Sequence, residues 1–292
     1  MLESGVIRIR GIETLDLPEL GPYLTLKQQG DHYIDRLFVV EGIKVVKRLL
    51  ASDIEIVSAL MTPEHLEVMR PALEARSEEI EVFVAEKRLL EGLTGFVLYQ
   101  GLLACARIPR PVELDVVAGL ATPPRFLVAL DGLANAENLG VIVRNAAAFG
   151  AQGVLVGETC LPPYLRRAVR SSMGNLFLLP VVEPVSLALA LRELRRRGFR
   201  CIGAHPHAGC RVLPQASLTG DCCIVLGNEG HGLSEAVREA CDELVAVPMH
   251  AGVDSLNVGA AAAVFFYEVW RQRNESRRWD DSVEPHEDRA GS

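Results

Sequence analysis

The 292-residue sequence has no apolar run long enough to cross a bilayer. Its longest, Val258 to Tyr267, is about half the ~20 residues that a spanning helix requires. The opening Met1-Leu2-Glu3-Ser4 has neither the basic region nor the apolar core of a secretory signal, so neither a membrane span nor an export signal is expected. CxxC pairs are missing as well. The seven cysteines, at positions 105, 160, 201, 210, 222, 223 and 241, are an odd number in a long apolar chain. They read as reduced core thiols of a cytoplasmic protein. Nor is there an excess of positive charge. With 30 basic and 38 acidic residues the net charge is -8, which excludes a nucleic-acid clamp built on the charge of the whole chain.

What remains is an ordinary globular composition, 49% hydrophobic and 23% charged, over a length that suits about two domains. The charge is unevenly placed. Residues 1–115 carry 13 basic and 19 acidic groups, whereas residues 116–275 carry 14 of each. Beyond Arg88 every basic residue is arginine, and two groups stand out: Arg166, Arg167 and Arg170, then Arg192, Arg195, Arg196, Arg197 and Arg200. A balanced segment with local arginine clusters holds an anionic polymer weakly and with strong salt dependence.

Strand-like runs alternate with helical patterns almost throughout, the signature of α/β layers. In the first part, strands are predicted at 36–40, 54–60 and 81–85. A helix opens at Gly42 with Val45, Val46, Leu49 and Leu50 on one face. A second starts at Thr62-Pro63, a capping hydroxyl with proline at the first helical position, and a short one runs to about Gly92. Pro109, Pro111, Pro123 and Pro124 surround an acidic stretch and place a domain boundary there. The division is therefore 1–115, 116–275 and a polar, acidic tail over 276–292 that is expected to be disordered. In the second part, strands are predicted at 126–130, 153–156, 176–181, 200–204, 222–226 and 244–247. Helices at 137–149, 164–171, 185–197, 233–240 and 255–272 separate most of them. This is a mostly parallel sheet with helices on both faces, in which ligands sit at the carboxyl ends of the strands.

Three loops after strands carry the polar residues. The first, Asp131 to Gly140, leads into a helix holding Arg144 and Asn145, and offers amides to an anion. Arg144 there reads equally well as an arginine snorkelling to solvent. The second, Gly227-Asn228-Glu229-Gly230-His231-Gly232, has three glycines that let backbone approach a ligand. Their GxxGxG order is not the dinucleotide fingerprint. In the third, Asp254 or Ser255 is expected to cap the last helix, which leaves Asn257 as an early-helix residue without a structural reason. The alanines at 260–263 imply that backbone or ligand passes close by.

Taken together, LDGLANAENLGVIVRNAAAFG, IVLGNEGHGLS and VPMHAGVDSLNVGAAAAVFFYEV resemble, in order, the three motifs of the SpoU (TrmH) RNA 2'-O-ribose methyltransferases of the SPOUT class. Asn138, Arg144, Glu229, Ser255 and Asn257 fall where that family has its characteristic polar residues, and Arg170-Ser171-Ser172-Met173-Gly174 looks like its segment between the first two motifs. Residues 33–108, with Phe38-Val39-Val40-Glu41-Gly42, resemble more weakly the small substrate-binding module that often precedes the catalytic domain. The resemblance implies a deep trefoil knot, a homodimer and an S-adenosyl-L-methionine site without metal. By analogy that site uses Leu226, Gly227, Asn228, Gly230, Val247, Pro248, Met249, Ser255 and Leu256. It also implies methyl transfer to a ribose 2'-hydroxyl, of rRNA rather than tRNA given the extra module. Guanidinium stays protonated in proteins, so Arg144 is expected to hold phosphate and stabilise negative charge, not to act as a base. Asn138 and Asn257 would orient the ribose or Arg144, and Glu229 the arginine or the loop. Phe265, Phe266 and Trp270 would suit a dimer interface.

Competing constellations are weaker. Cys201, His205, His207 and Cys210 are zinc-ligand types at a spacing that matches no standard finger. His231 could touch RNA, or simply be solvated, and the Arg192 to Arg200 cluster could bind phosphate or form a solvated helix face. A catalytically silent RNA-binding protein and a nucleotide-dependent oxidoreductase remain as other classes. The full polar set argues against the first and the glycine order against the second.

Overall fold

In a computed structural model of the protein, the described residues are 6–25, 35–91, 101–120, 122–206 and 209–275. The expected tail over 276–292 therefore lies outside them, as does His207. The N-terminal lobe contains β1 (Ile7–Gly11), α1 (Gly21–Leu24), β2 (Leu37–Glu41), α2 (Ile43–Leu50), β3 (Ile56–Met61), α3 (Pro63–Glu74), β4 (Ile80–Val84), α4 (Lys87–Glu91) and β5 (Leu102–Arg107). Its five strands run β1-β4-β3-β5-β2, with β5 antiparallel to both neighbours. The helix opened by Gly42 forms with Val45, Val46, Leu49 and Leu50 buried, and Gly42 itself has φ 94, a value glycine tolerates without strain.

The C-terminal lobe follows with α5 (Leu114–Leu120), β6 (Phe126–Leu130), α6 (Ala136–Ala148), β7 (Gly153–Val156), α7 (Arg166–Ser171), β8 (Val181–Val182), α8 (Leu187–Arg196), β9 (Arg200–Ala204), β10 (Arg211–Val212), β11 (Cys222–Leu226), α9 (Glu235–Ala240), β12 (Glu243–Ala246) and α10 (Val258–Asn274). Its sheet is parallel throughout, in the order β10-β12-β9-β11-β6-β7-β8. The two-residue period of a strand sends alternate side chains to opposite faces. Phe126, Val128, Leu130, Cys222, Ile224 and Leu226 pack with α6 and α10, whereas Leu127, Ala129, Cys223 and Val225 pack with α8 and α9.

Three expectations are corrected. The strand foreseen at 176–181 is a 3-10 turn, Asn175–Phe177, followed by the two-residue β8, because Pro180 supplies no N–H to a ladder. In the stretch between the prolines, where the domain boundary was expected, α5 forms with Val117 and Ala118 buried, so a division between residues 115 and 116 falls inside a helix. Phe265 and Phe266 face the chain's own core, Phe266 edge-on to Phe126, and are unavailable to a partner. The exposed apolar groups of α10 are Val264 and Tyr267, the latter stacked on Trp270.

All seven cysteines are free thiols, and burial pushes Cys105 and Cys241 up to about 12 and Cys222 to about 11. The four buried ones, Cys105, Cys201, Cys222 and Cys223, pack in the apolar clusters. Among the described residues no helix is long and apolar enough to cross a membrane.

Candidate active site

β6, β11 and β12 lie close together in the sheet, so the loops after them converge at one edge. Each loop is held by its own polar residues. Asn135 caps α6, its Oδ1 accepting from the amides of Glu137 and Asn138 at 2.8 and 3.2 Å. Asp131, buried, accepts from the Ser234 amide at 2.7 Å and fixes the end of the glycine loop. Asn228 organises that loop. Its Oδ1 accepts from the amides of Gly230 and His231, and its Nδ2 donates to the Gly132 carbonyl at 2.6 Å, tying the second loop to the first. Gly227 has no substitute, because a Cβ there would overlap the backbone of Gly232 and Leu233.

α6 and α10 cross closely at Gly259, where a Cβ would stand 2.8 Å from Val141, and Asn145 Nδ2 donates to the Gly259 carbonyl at 3.0 Å. This crossing brings the motif residues together. Asn257, not Asp254 or Ser255, is the N-cap of α10: its Oδ1 accepts from the amides of Gly259 and Ala260 at 2.9 and 3.4 Å. A position read as lacking a structural reason thus has one. With its oxygen committed to backbone N–H groups, Asn257 presents Nδ2 to Asn138 Oδ1 at 3.1 Å. Asn138 in turn donates from Nδ2 to Glu229 Oε1 at 2.9 Å, and Glu229 also accepts from the Ala134 amide at 3.4 Å. Each amide orientation follows from its neighbour, and each Nδ2 keeps one proton outside these bonds. Glu229 therefore steadies Asn138, not the arginine.

Beside this relay is a cavity of 410 Å³, within the ~300–1,000 Å³ range of small-molecule sites. Leu226, Gly227, Asn228, Glu229, Gly230, Val247, Met249, Ser255, Leu256 and Asn257 line it. Pro248 is not among the lining residues. Neither Asn138 nor Arg144 lines it either, and Arg144 stands exposed on α6. Sequence reasoning did not assign Ala204, His205, Pro206, Asp254, Val258, Ala261 and Phe265 to this wall. Ala204 ends β9, which lies between β11 and β12, and His205 and Pro206 follow it, so the rule that ligands bind at strand carboxyl ends reaches all three. Ala261 accounts for part of the alanine run, since the cavity passes directly over it.

Of the zinc-ligand types, Cys201 is buried in β9 and His207 lies outside the described residues. Cys210 Sγ lies 3.8 Å from His205 Nδ1, but among the described residues no group of three or more His, Cys, Asp or Glu is arranged for a metal ion. Arg195 pairs with Asp242, Arg196 with Glu193, Arg197 with Glu193 and Asp115, and Arg200 with Glu243. Four of the five arginines of that cluster are thus neutralised within the chain.

Fold and site together define an α/β protein with a glycine-walled ligand cavity and a polar relay at the carboxyl edge of a parallel sheet. The model of the SpoU rRNA Methylase family matches residues 125–267. An uncharacterized tRNA/rRNA methyltransferase of Mycobacterium tuberculosis is 36% identical over 239 residues, covering 80% of this chain and 81% of that one. The SpoU methyltransferase AviRb from Streptomyces viridochromogenes, solved in complex with the cofactor AdoMet, is 26% identical with a TM-score of 0.75, over 89% of this chain and 100% of AviRb. An RNA 2'-O ribose methyltransferase of known structure is 27% identical with a TM-score of 0.69, over 92% and 99%. The chain belongs to the SpoU/TrmH family of RNA methyltransferases.

Proposed function

We propose that the protein transfers a methyl group from S-adenosyl-L-methionine to a ribose 2'-hydroxyl of RNA, with rRNA as the preferred substrate. The observation that carries this reading is the relay from Glu229 through Asn138 to Asn257, set at the rim of the 410 Å³ cavity. The cavity suits the cofactor: Gly227 and Gly230 are part of its wall, apolar wall comes from Leu226, Val247, Met249 and Leu256, and Asp254 and Glu229 supply carboxylates for a cationic ligand. When bound, the cofactor supplies an electrophilic methyl on a sulfonium.

As the ribose 2'-oxygen took that methyl, the sulfonium carbon–sulfur bond would break with its electron pair left on a neutral thioether, and the hydroxyl proton would pass to solvent water; where proton loss leads, negative charge develops on the oxygen. The uncommitted Nδ2 protons of Asn138 and Asn257 are preorganised donors for that charge, and their orientation is fixed before substrate arrives. Arg144, exposed and permanently charged, holds a substrate phosphate from its place on α6, six residues after Asn138. Ser255, exposed on the cavity wall, offers its hydroxyl to the bound cofactor. The N-terminal lobe forms the substrate-binding domain and the C-terminal lobe the catalytic domain, with the trefoil knot that the family resemblance implies. A cytoplasmic homodimer, joined along the Val264 and Tyr267 face of α10, completes the proposal.

The test is transfer of labelled methyl to purified rRNA and tRNA, followed by alkaline digestion, which a 2'-O-methyl group blocks at its own linkage. Label in an alkali-resistant dinucleotide of one RNA is expected, with Arg144→Ala lowering the rate at least about 10²-fold. Label on a base instead of a ribose overturns the 2'-O assignment. Label confined to tRNA overturns the rRNA preference, and failure to bind S-adenosyl-L-methionine overturns the whole reading.

A further inference from the structure

The segment 166–174 touches both lobes. On the N-terminal side, Glu41 at the end of β2 has its Oε2 3.5 Å from Arg166 and 3.8 Å from Arg170 of α7. That oxygen is buried and makes no hydrogen bond, so the two guanidinium charges are what stabilise it there. Arg48 of α2 donates to the Met173 carbonyl at 2.6 Å. Met173 has φ 54, a left-handed conformation that a long side chain adopts only when its surroundings impose it. Gly174 follows at φ 79, where a Cβ would stand 3.2 Å from Arg48 Cδ and 3.3 Å from Phe177. Phe38 of β2 closes the contact, its ring 5.2 Å from Tyr164 and 5.9 Å from Phe177.

On the other side the same segment abuts the helix of the site. Gly140 of α6 lies two residues after Asn138 and four before Arg144. A Cβ at Gly140 would overlap Ser171 Oγ and the Ala168 carbonyl. α6 therefore has no room to shift along α7 without moving it. α7 in turn is fixed by Glu41 and by Arg48.

We infer that segment 166–174 sets the site helix against the N-terminal lobe, and that Arg48 and Glu41 are positioning residues for methyl transfer. The inference rests on the proposed function, with RNA held by that lobe. Its chemical logic is proximity: a reacting group misplaced by about 1 Å can cost about 10²-fold in rate. Neither residue lines the cofactor cavity. Their loss is therefore expected to spare cofactor binding and to slow the chemical step.

The experiment uses the full chain and the RNA that the wild type methylates. Calorimetry reads S-adenosyl-L-methionine affinity, filter binding reads RNA affinity and single-turnover transfer reads the chemical step. For Arg48→Ala and Glu41→Gln, both affinities are expected to stay within about twofold while the single-turnover rate falls at least about tenfold. Arg48→Lys recovers part of the rate, because an ammonium can donate to the same carbonyl. Glu239→Ala, exposed on α9 and outside both the site and the substrate-binding lobe, leaves it unchanged. Wild-type rates in Arg48→Ala and Glu41→Gln overturn the inference, as does a loss that only mirrors weakened RNA or cofactor binding. A wild type that methylates neither RNA overturns the functional reading and the inference with it.

Discussion

The amide of Asn257 divides its two ends between two tasks: Oδ1 accepts from the first amides of α10, and Nδ2 donates to Asn138. Substitution can separate them. Aspartate caps a helix as well as asparagine does, but offers no donor and sets a carboxylate oxygen against Asn138 Oδ1. Asn257→Asp is therefore expected to unfold within about 0.5 kcal/mol of the wild type while losing about 10²-fold or more in methyl transfer. Asn257→Ala loses the same activity and about 1 kcal/mol of stability as well. Urea unfolding and single-turnover transfer on the two variants check this. Equal stability losses in both would mean that the cap depends on the amide as a whole. Part of this site was legible in the sequence, because glycine, asparagine and glutamate in loops after strands have few structural reasons to recur. Which of them meet was not legible. Asn138 is separated by 91 residues from Glu229 and by 119 from Asn257; the pairing of β6 with β11 and the Asn228–Gly132 bond close the first distance, and the α6–α10 crossing at Gly259 the second.

Of the elements that escaped sequence reading, β5 is a buried apolar run that the sequence did offer, whereas two others gave little signal. β1, Ile7–Gly11, lies at the edge of its sheet with most of its side chains exposed, so it shows no buried face. β10 has two residues and no period to detect. The strands around the site were plain, since β6 and β11 are buried on both faces and read as unbroken apolar runs. α10 carries the site at its first turn and is fastened at its last. There Arg273 donates to the carbonyls of Leu218, Pro124, Arg125 and Gly220, and its guanidinium lies 5.8 Å from the Phe126 ring centroid. Hydrogen bonds from a charged donor contribute more than neutral ones, and four carbonyls lose their partner together. Arg273→Ala is expected to cost about 2–4 kcal/mol in urea unfolding with an unchanged m-value. A loss below about 0.5 kcal/mol would show that water replaces the arginine at those carbonyls.

For the whole molecule, a net charge of -8 coexists with arginines that are largely engaged by carboxylates, and this couples stability to pH. Burial raises the Asp221 carboxyl, but hydrogen bonds and charge from Arg125, with Arg273 beside it, more than offset this and hold it below the ordinary aspartate value. Glu78 follows the same balance, with burial opposed by Arg76 and the Ile56 amide, and also ends below its ordinary value. Glu268 is lowered first by its hydrogen bond to Arg271. A carboxyl depressed in the folded state binds fewer protons there than in the unfolded chain near pH 4. Its contribution is therefore complete above the unfolded value and is lost as pH falls through the folded one. Glu183 runs the other way: burial raises it, against a smaller opposing pull from Arg36, so its contribution is lost as pH rises through its folded value. With Glu64, lowered by its hydrogen bond to Thr62, four depressed carboxyls stand against one raised and favour a stability plateau near neutrality and a decline beginning at about pH 4.5 and steepening below it. Urea unfolding from pH 7 to pH 3 measures this directly, and Asp221→Asn is expected to flatten the acid limb while lowering the plateau. An acid limb unchanged in that variant would assign the decline to other carboxyls and leave the Arg125–Asp221–Arg273 cluster a purely geometric brace between the sheet and the end of α10.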